Sequence, residues 1–414
     1  MRDRPTARIA ALGVMTLLLA AAAVAGCGKS GGSSNKTVSG NKLQVAAALD
    51  LTGSLAKEGG LTKQGYQFCQ EKVNARGGVS VGGKKLKLAI TYKDDKSEPD
   101  TASTQIDQFN DSGLKLILGP YGSPSTAAAA AAVEKNGQVM ADSSGADNTI
   151  FQKGYKNTFA VLSPATDYVA VIIKSIMAQA KPKPKTVAML SADDGFSQTA
   201  AKGGVTEAKR QGLKVVAQES FPEHTTDVSS ALTKIRSKKP DLVLGSVHIE
   251  EGIAIVKQAK ELGVKPMGFG ETVAPPTPDF RKALGASANG VVGSTQWTPQ
   301  FQGRDPIFGT AKDYAAGFEK RFGVPAEYHS AEAAAACLAL VLAVEKANSA
   351  DPKKVRDALA ALDTSSFFGP IKFQSNGQNT TKPMAAIQVQ KGNVVTIYPA
   401  SQRQGNLQWP GTGG

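Results

Sequence analysis

The chain of 414 residues carries a formal charge of +13, from 48 Lys and Arg against 35 Asp and Glu, and 41% of its residues are apolar. Two-fifths apolar is ample for a packed core, and at roughly 150 residues per domain the length suggests two or three domains. The basic excess is spread, as in Lys84-Lys85, Lys181–Lys185 (KPKPK) and Lys238-Lys239. It is not gathered into an aromatic-studded tract, which argues against nucleic acid and fits attraction to an anionic membrane surface.

Residues 1–26 read as a targeting segment: Arg2, Arg4 and Arg8, then a small apolar run ending in Val24-Ala25-Gly26-Cys27. That ending resembles a lipobox, in which the Cys becomes the lipidated first residue. The alternatives are a plain secretory signal or a membrane span, for which roughly 20 residues are needed. Gly28 to Gly40, GKSGGSSNKTVSG, reads as the end of a flexible tether over 27–40. Beyond it strands and helices alternate. Strands are expected over 43–49, 85–92, 114–118 and 138–141, with helices over 60–75, 99–110 and 125–135. The theme repeats with helices over 168–180, 197–211, 227–237 and 251–262, and strands over 186–190, 214–220, 241–245 and 266–270. Helices over 307–322, 331–347 and 352–362 follow, then short strands over 371–373, 384–390 and 394–398. A tail over 400–414 reads as disordered. With Cys27 assigned to lipid, Cys69 and Cys337 remain. Under oxidising conditions they form one disulfide if their helices pack side by side, or else stay two buried thiols.

Alternation of this kind gives an α/β fold of parallel sheets, with ligands bound beyond the C-terminal ends of strands. The loop Gly119 to Thr126 (GPYGSPST) opens onto a helix, whose start is a seat for an anion. It lacks the Lys and the spacing of a nucleotide-phosphate loop. Ser123, Ser143 and Ser144 are hydroxyls in such loops. Ser125 and Thr126 serve equally well as helix caps. In the second half Phe196, His248 and Glu271 occupy the matching loops, where a core, a polar-rim or a solvated role competes with ligand contact. His224, His248 and His329 show no metal-ligand spacing, and no nucleophile elbow, zinc-protease motif, CxxC pair or dinucleotide fingerprint is present. The pattern indicates a binder and not an enzyme, with no cofactor and no metal.

Leu51 to Pro99 (LTGSLAKEGGLTKQGYQFCQEKVNARGGVSVGGKKLKLAITYKDDKSEP) resembles the opening of the branched-chain amino acid (Leu/Ile/Val) binding protein family. LILGPYGSPST, VAMLSADDGFSQ, IVKQAKELGVKP and FFGPIKF follow in the family's order. The likeness runs over 41–399. It implies two Rossmann-like lobes joined by a three-crossing hinge, the type I periplasmic-binding-protein fold, with crossings near Ser163, Ser294 and Gly369. Lobe one is then 41–162 plus 295–368 and lobe two 163–294 plus 369–399, which places Cys69 and Cys337 in one lobe.

The resemblance further implies a lipid-anchored receptor of an ABC importer that closes over a small solute. It would sit on the outer face of the cytoplasmic membrane or in the periplasm, with a membrane permease as partner. Carried over residue by residue, Ser123 and the loop Ser144, Gly145, Ala146 take the ligand's carboxylate. Ala146 stands where a Thr hydroxyl is usual. Glu271 takes the ammonium and Phe196 closes over the ligand. His248 replaces a frequent Tyr, and Glu58 stands where some members have an aromatic. An amino-acid-like ligand is expected. The alternatives are a small amide, urea or organic acid, or a ligand sensor for a membrane signalling partner.

Overall fold

The computed structural model describes residues 36–411. The leader, Cys27 and most of the expected tether lie outside them. The chain runs β1 (Val38–Ser39), β2 (Lys42–Leu49), α1 (Ala56–Ala75), β3 (Val79–Val81), β4 (Lys84–Asp94), α2 (Pro99–Asp111), β5 (Leu116–Leu118), α3 (Ser123–Asn136), β6 (Val139–Asp142) and β7 (Thr158–Ala160). It continues with α4 (Thr166–Gln179), β8 (Thr186–Ala192), α5 (Gly195–Arg210), β9 (Lys214–Phe221), α6 (Ser229–Arg236), β10 (Leu242–Ser246), α7 (Ile249–Glu261), β11 (Gly268–Glu271), α8 (Pro278–Leu284) and β12 (Val292–Thr295). The remainder is β13 (Arg304–Asp305), β14 (Gly309–Thr310), α9 (Ala311–Phe322), α10 (Tyr328–Ala347), α11 (Pro352–Ala360), β15 (Asp363–Ser366), β16 (Gly369–Lys372), β17 (Ala385–Gln390) and β18 (Asn393–Tyr398).

Two sheets form. The first has the order β3-β4-β2-β5-β6-β7, with β1 beside β2; the second has the order β18-β17-β12-β11-β10-β8-β9. The strands joined by helical crossovers are parallel, and the short flanking pairs β1–β2, β3–β4, β12–β17 and β17–β18 are antiparallel. Buried apolar residues fill β2 and β5 in the first sheet and β8 and β10 in the second, as a sheet covered by helices on both faces requires. Helix α10 is buried nearly all round because Ala and Leu dominate it, and it packs on α1. Cys69 of α1 and Cys337 of α10 are joined in a disulfide.

Three passages connect the sheets, and side chains tie them together. Ser163 exchanges backbone bonds with the Gln296 amide at 3.1 Å each way, and its hydroxyl donates to the Lys382 carbonyl at 2.8 Å. The Lys382 ammonium donates to the Gln296 carbonyl and, at 3.1 Å, to its Oε1. The third passage differs from the expectation at Gly369. That residue opens β16, which pairs with β15, and Gln378 still bridges to Ala160 of the first sheet. The chain therefore leaves the first lobe only after Gln378.

Two other expectations fail at the ends. The tether was read through residue 40, yet Thr37 is buried and Val38–Ser39 pairs with β2. The tail was read as disordered from residue 400. Instead Trp409 donates to the Pro182 carbonyl at 2.9 Å, Gly411 donates to the Met267 carbonyl at 2.8 Å, and Gly268 lacks a Cβ where the Trp409 ring lies. Polar, Gly-rich sequence hid a strap held by backbone bonds, by one aromatic ring and by the side-chain amides of Gln179, Gln388 and Gln390.

The disulfide spans 268 residues of sequence, so it limits a long loop in the unfolded chain. Replacing both cysteines by Ala should cost about 2–4 kcal/mol and lower the melting temperature by roughly 5–10 °C. Calorimetry with and without reductant checks this: reductant should lower the melt of the natural chain and leave the double variant unchanged.

Candidate functional site

The C-terminal ends of the two sheets face each other, and the loops there close a cleft lined by Tyr121, Ser123, Ser144, Tyr328 and Glu332 from the first lobe and Tyr168, Phe196, His248 and Val273 from the second. The enclosed space is about 10 Å³, about enough for one water. The lobes are shut against one another. Thr199 Oγ1 donates to Asp147 Oδ1 at 2.7 Å, Ile249 N–H to Glu58 Oε1 at 3.2 Å, and the Lys57 ammonium to Glu250 at 2.6 Å. The last pair is exposed and contributes little by itself.

Ser123 is the first residue of α3, because the helix begins two residues earlier than the spacing of its alanines suggests. Its hydroxyl accepts from Asp147 N–H at 3.1 Å, which leaves its proton free to donate. Ser144 donates to Glu332 Oε1 at 3.2 Å and contacts the Ser143 hydroxyl at 3.1 Å; Ser143 in turn meets the Tyr66 hydroxyl at 2.9 Å. Gly145 and Ala146 do not offer N–H groups to the cleft, contrary to expectation. The first donates to both Asp142 oxygens at 3.1 Å and the second to the Ser144 carbonyl at 3.0 Å. Gly145 is required there, since a Cβ would fall 2.3 Å from the Thr126 methyl.

Phe196 lies in the first turn of α5, edge-on to Tyr168 at 4.9 Å and 5.4 Å from the His248 ring. His248 precedes α7. Its Nδ1 is 3.4 Å from the Tyr121 hydroxyl, and its Nε2 is 3.5 Å from Asp194 Oδ2, an ion-pair distance. The Tyr121 hydroxyl also lies 3.5 Å from His329 Nε2, and His329 Nδ1 is 2.5 Å from Glu327. A line of carboxylate, imidazole, phenol, imidazole and carboxylate thus crosses the cleft. Burial works to lower the His248 pKa, but the Asp194 charge overrides it and lifts the ring to about 9. Asp194, which burial alone would raise, is held at about 2 mainly by the His248 charge.

Glu271 is the main departure from the expected site. It ends β11, between Gly245 and Gly293, and its side chain goes to the sheet face under α7. A Cβ on Gly252 would sit 2.6 Å from its Oε2. Both its oxygens are buried without a partner, and burial pushes its carboxyl well above the usual range. Glu271 is the last residue of β11 and points into the lobe, whereas Val273 lies past the strand end, where the chain has left the sheet and the pleat no longer sets its direction, and it lines the cleft.

The acid that does line the cleft is Glu332, in the second turn of α10. Its Oε2 is buried without a partner, and burial, with Glu327 nearby, raises it well above the usual carboxyl range. The sequence does carry a signal for it, a lone carboxylate inside the apolar run Ala331–Leu340 (AEAAAACLAL). Among the described residues no group of His, Cys, Asp and Glu could hold a metal ion, and no helix is long and apolar enough to cross a membrane.

These groups give stability a pH slope. Burial raises Asp50 to about 8, with the Asp95 charge adding to it; burial raises Asp95 to about 7, with the Asp94 charge adding to it; and His248 is raised to about 9. A raised folded pKa means that stability is full below the unfolded value and is lost as pH climbs through the folded one. Burial lowers Lys382 to about 7, so that group acts oppositely, its contribution improving above pH 7. Stability should therefore fall between about pH 4 and 8, where Asp50 and Asp95 keep protons that the unfolded chain has lost, and Asp50→Asn should flatten the fall. Melting curves across that range check it; a melt that rises with pH would contradict this charge assignment.

Residues 42–393 match the periplasmic binding protein family. The Leu/Ile/Val-binding protein homolog 7 of Brucella suis biovar 1 (strain 1330) is 25% identical over 385 residues, covering 89% of this chain and 94% of that one. Among solved structures, the substrate-binding protein LivJ of the branched-chain amino acid transporter of Streptococcus pneumoniae, in complex with isoleucine, superposes with a TM-score of 0.74 at 22% identity, over 85% of this chain and 97% of that one. A solute-binding protein of an ABC transporter from R. palustris, in complex with benzoate, gives a TM-score of 0.72 at 17% identity, over 86% and 95%. With two parallel-sheet lobes, three tied passages and a cleft at the strand ends, the chain belongs to the periplasmic binding protein family.

Proposed function

We propose that this chain is an extracytoplasmic solute receptor of an ABC importer that closes over a small amino-acid-like solute. The observation that carries the reading is Glu332. It is a buried carboxyl with an unpartnered Oε2, in the same closed pocket as the Ser123 and Ser144 hydroxyls. A ligand ammonium beside Glu332 would return the carboxyl to its charged form, and the hydroxyls would take the ligand's carboxylate. Tyr168, Phe196 and Tyr328 wall the space between. The solute enters only when the lobes part about the passages at Ser163, Gln296 and Lys382. Contacts to both lobes then favour the closed form, which a permease would recognise. The ending Val24-Ala25-Gly26-Cys27 supports a lipid anchor at Cys27 on the outer face of the membrane. We read the protein as a receptor and not a catalyst.

A second reading follows from the same raised carboxyl. A protonated Glu332 donates a hydrogen bond, which suits a small amide, urea or organic acid. The benzoate complex of the R. palustris protein favours keeping it.

A thermal-shift screen of L-amino acids, their des-amino acids, amides and urea separates the two readings. A solute at about 100 times its dissociation constant adds roughly 2.7 kcal/mol. Under the first reading an L-amino acid shifts the melt and its des-amino acid does not. By calorimetric titration, Glu332→Gln should then weaken binding by about tenfold or more, and Glu271→Gln should change it by less than about twofold. Loss on Glu271→Gln with none on Glu332→Gln would restore Glu271 as the ammonium partner.

A further inference from the structure

We propose that a second solute site lies beside the hinge, walled off from the cleft by Tyr328, and that it takes a small organic carboxylate. Tyr328 lines both spaces. On its far side is a chamber of about 290 Å³, at the lower end of the roughly 300–1,000 Å³ that small-molecule sites occupy. Its walls are mostly apolar, including Pro276, Trp297 and Ile387, and two charged side chains border it, Arg281 and Glu327.

The two charges are not equivalent. Glu327 is committed to the start of α10: Oε1 accepts from Ser330 N–H at 2.7 Å, and Oε2 accepts from His329 N–H at 2.8 Å and meets His329 Nδ1 at 2.5 Å. Arg281 is hydrogen-bonded only to neutral groups, and the Glu327 charge acts on it through space without a hydrogen bond. Its Nη1 donates to the carbonyls of Pro276 and Thr277 at 3.0 and 2.9 Å. Those carbonyls fix the guanidinium in place without neutralising it, and they leave Nε and Nη2 for an incoming anion. A fixed guanidinium among apolar walls recognises a carboxylate on an apolar body.

The chamber is also placed to influence the cleft. Arg281 belongs to the second lobe, Glu327 and Tyr328 to the first, and Thr295 to Gln300 run along the second passage. An occupant touches both lobes, so its affinity differs between open and closed forms and it biases closure. This holds whichever solute the cleft takes.

The chain has two tryptophans, and Trp297 lines the chamber. In a Trp409→Phe background, titration with 4-bromobenzoate should change the Trp297 emission saturably. Arg281→Met should weaken that binding by about tenfold, and Arg281→Lys should recover part of it. A crystal of the unmodified chain soaked in the same compound should show the bromine in the chamber, with the carboxylate against Arg281. The proposal fails if emission does not saturate, if Arg281→Met binds as well as the parent, or if the bromine lies only in the cleft beside Ser123.

Discussion

The tie among Ser163, Gln296 and Lys382 is the constraint on which the rest of the molecule depends. Three chain segments far apart in sequence meet there, and each uses a backbone group to bind a side chain of another. The Lys382 ammonium is fully buried and sits over the Phe301 and Phe368 rings, at 5.0 and 4.1 Å from their centres. Lost bonds at such a site would leave polar groups stranded in a dry interior, so the passages are held in one arrangement. The lobes on either side can then change their angle without losing register.

Closing the lobes carries an electrostatic cost. Glu58, Glu332 and His248 are all buried at the interface, together with the Asp194 that partners His248. Burial of a charge is tolerated where a partner stands ready, as Asp194 does for His248. Glu332 has no such cationic partner in contact, and its environment favours the neutral acid. A solute that brings positive charge would relieve that strain on closure.

The same rule separates the two buried glutamates. Glu271 and Glu332 are both raised by desolvation, but Glu271 is enclosed by Gly245 and Gly252 inside one lobe, whereas Glu332 opens onto the space between lobes. Only the latter can change its surroundings when the lobes part. Burial alone would not distinguish them; the direction of each side chain does.

Much of the fold was legible in the residues. Apolar runs such as 43–49 and 241–245, separated by helical spacing and ended by residues such as Gly263, specify the alternation, and right-handed crossovers turn alternation into parallel sheets. Ser123, Ser144, Phe196 and His248 were singled out because loops after parallel strands are where ligands bind, a rule that needs only element order, and they line the space between the lobes. Strands β7 and β12 were missed because they are short and lie in sequence without clear alternation. Tyr121 lies in the loop Gly119 to Thr126, where only the hydroxyls of Ser and Thr were followed, and Tyr168, Tyr328 and Glu332 were missed because loop position does not identify them. Tyr328 and Glu332 belong to a helix contributed by a later part of the chain, and Tyr168 to the helix just past the first passage. Local pattern records which residues share a face of one element. Which acid meets the cleft depends on how separate elements are brought together, and that follows from long-range packing, the α1–α10 disulfide and the tied passages.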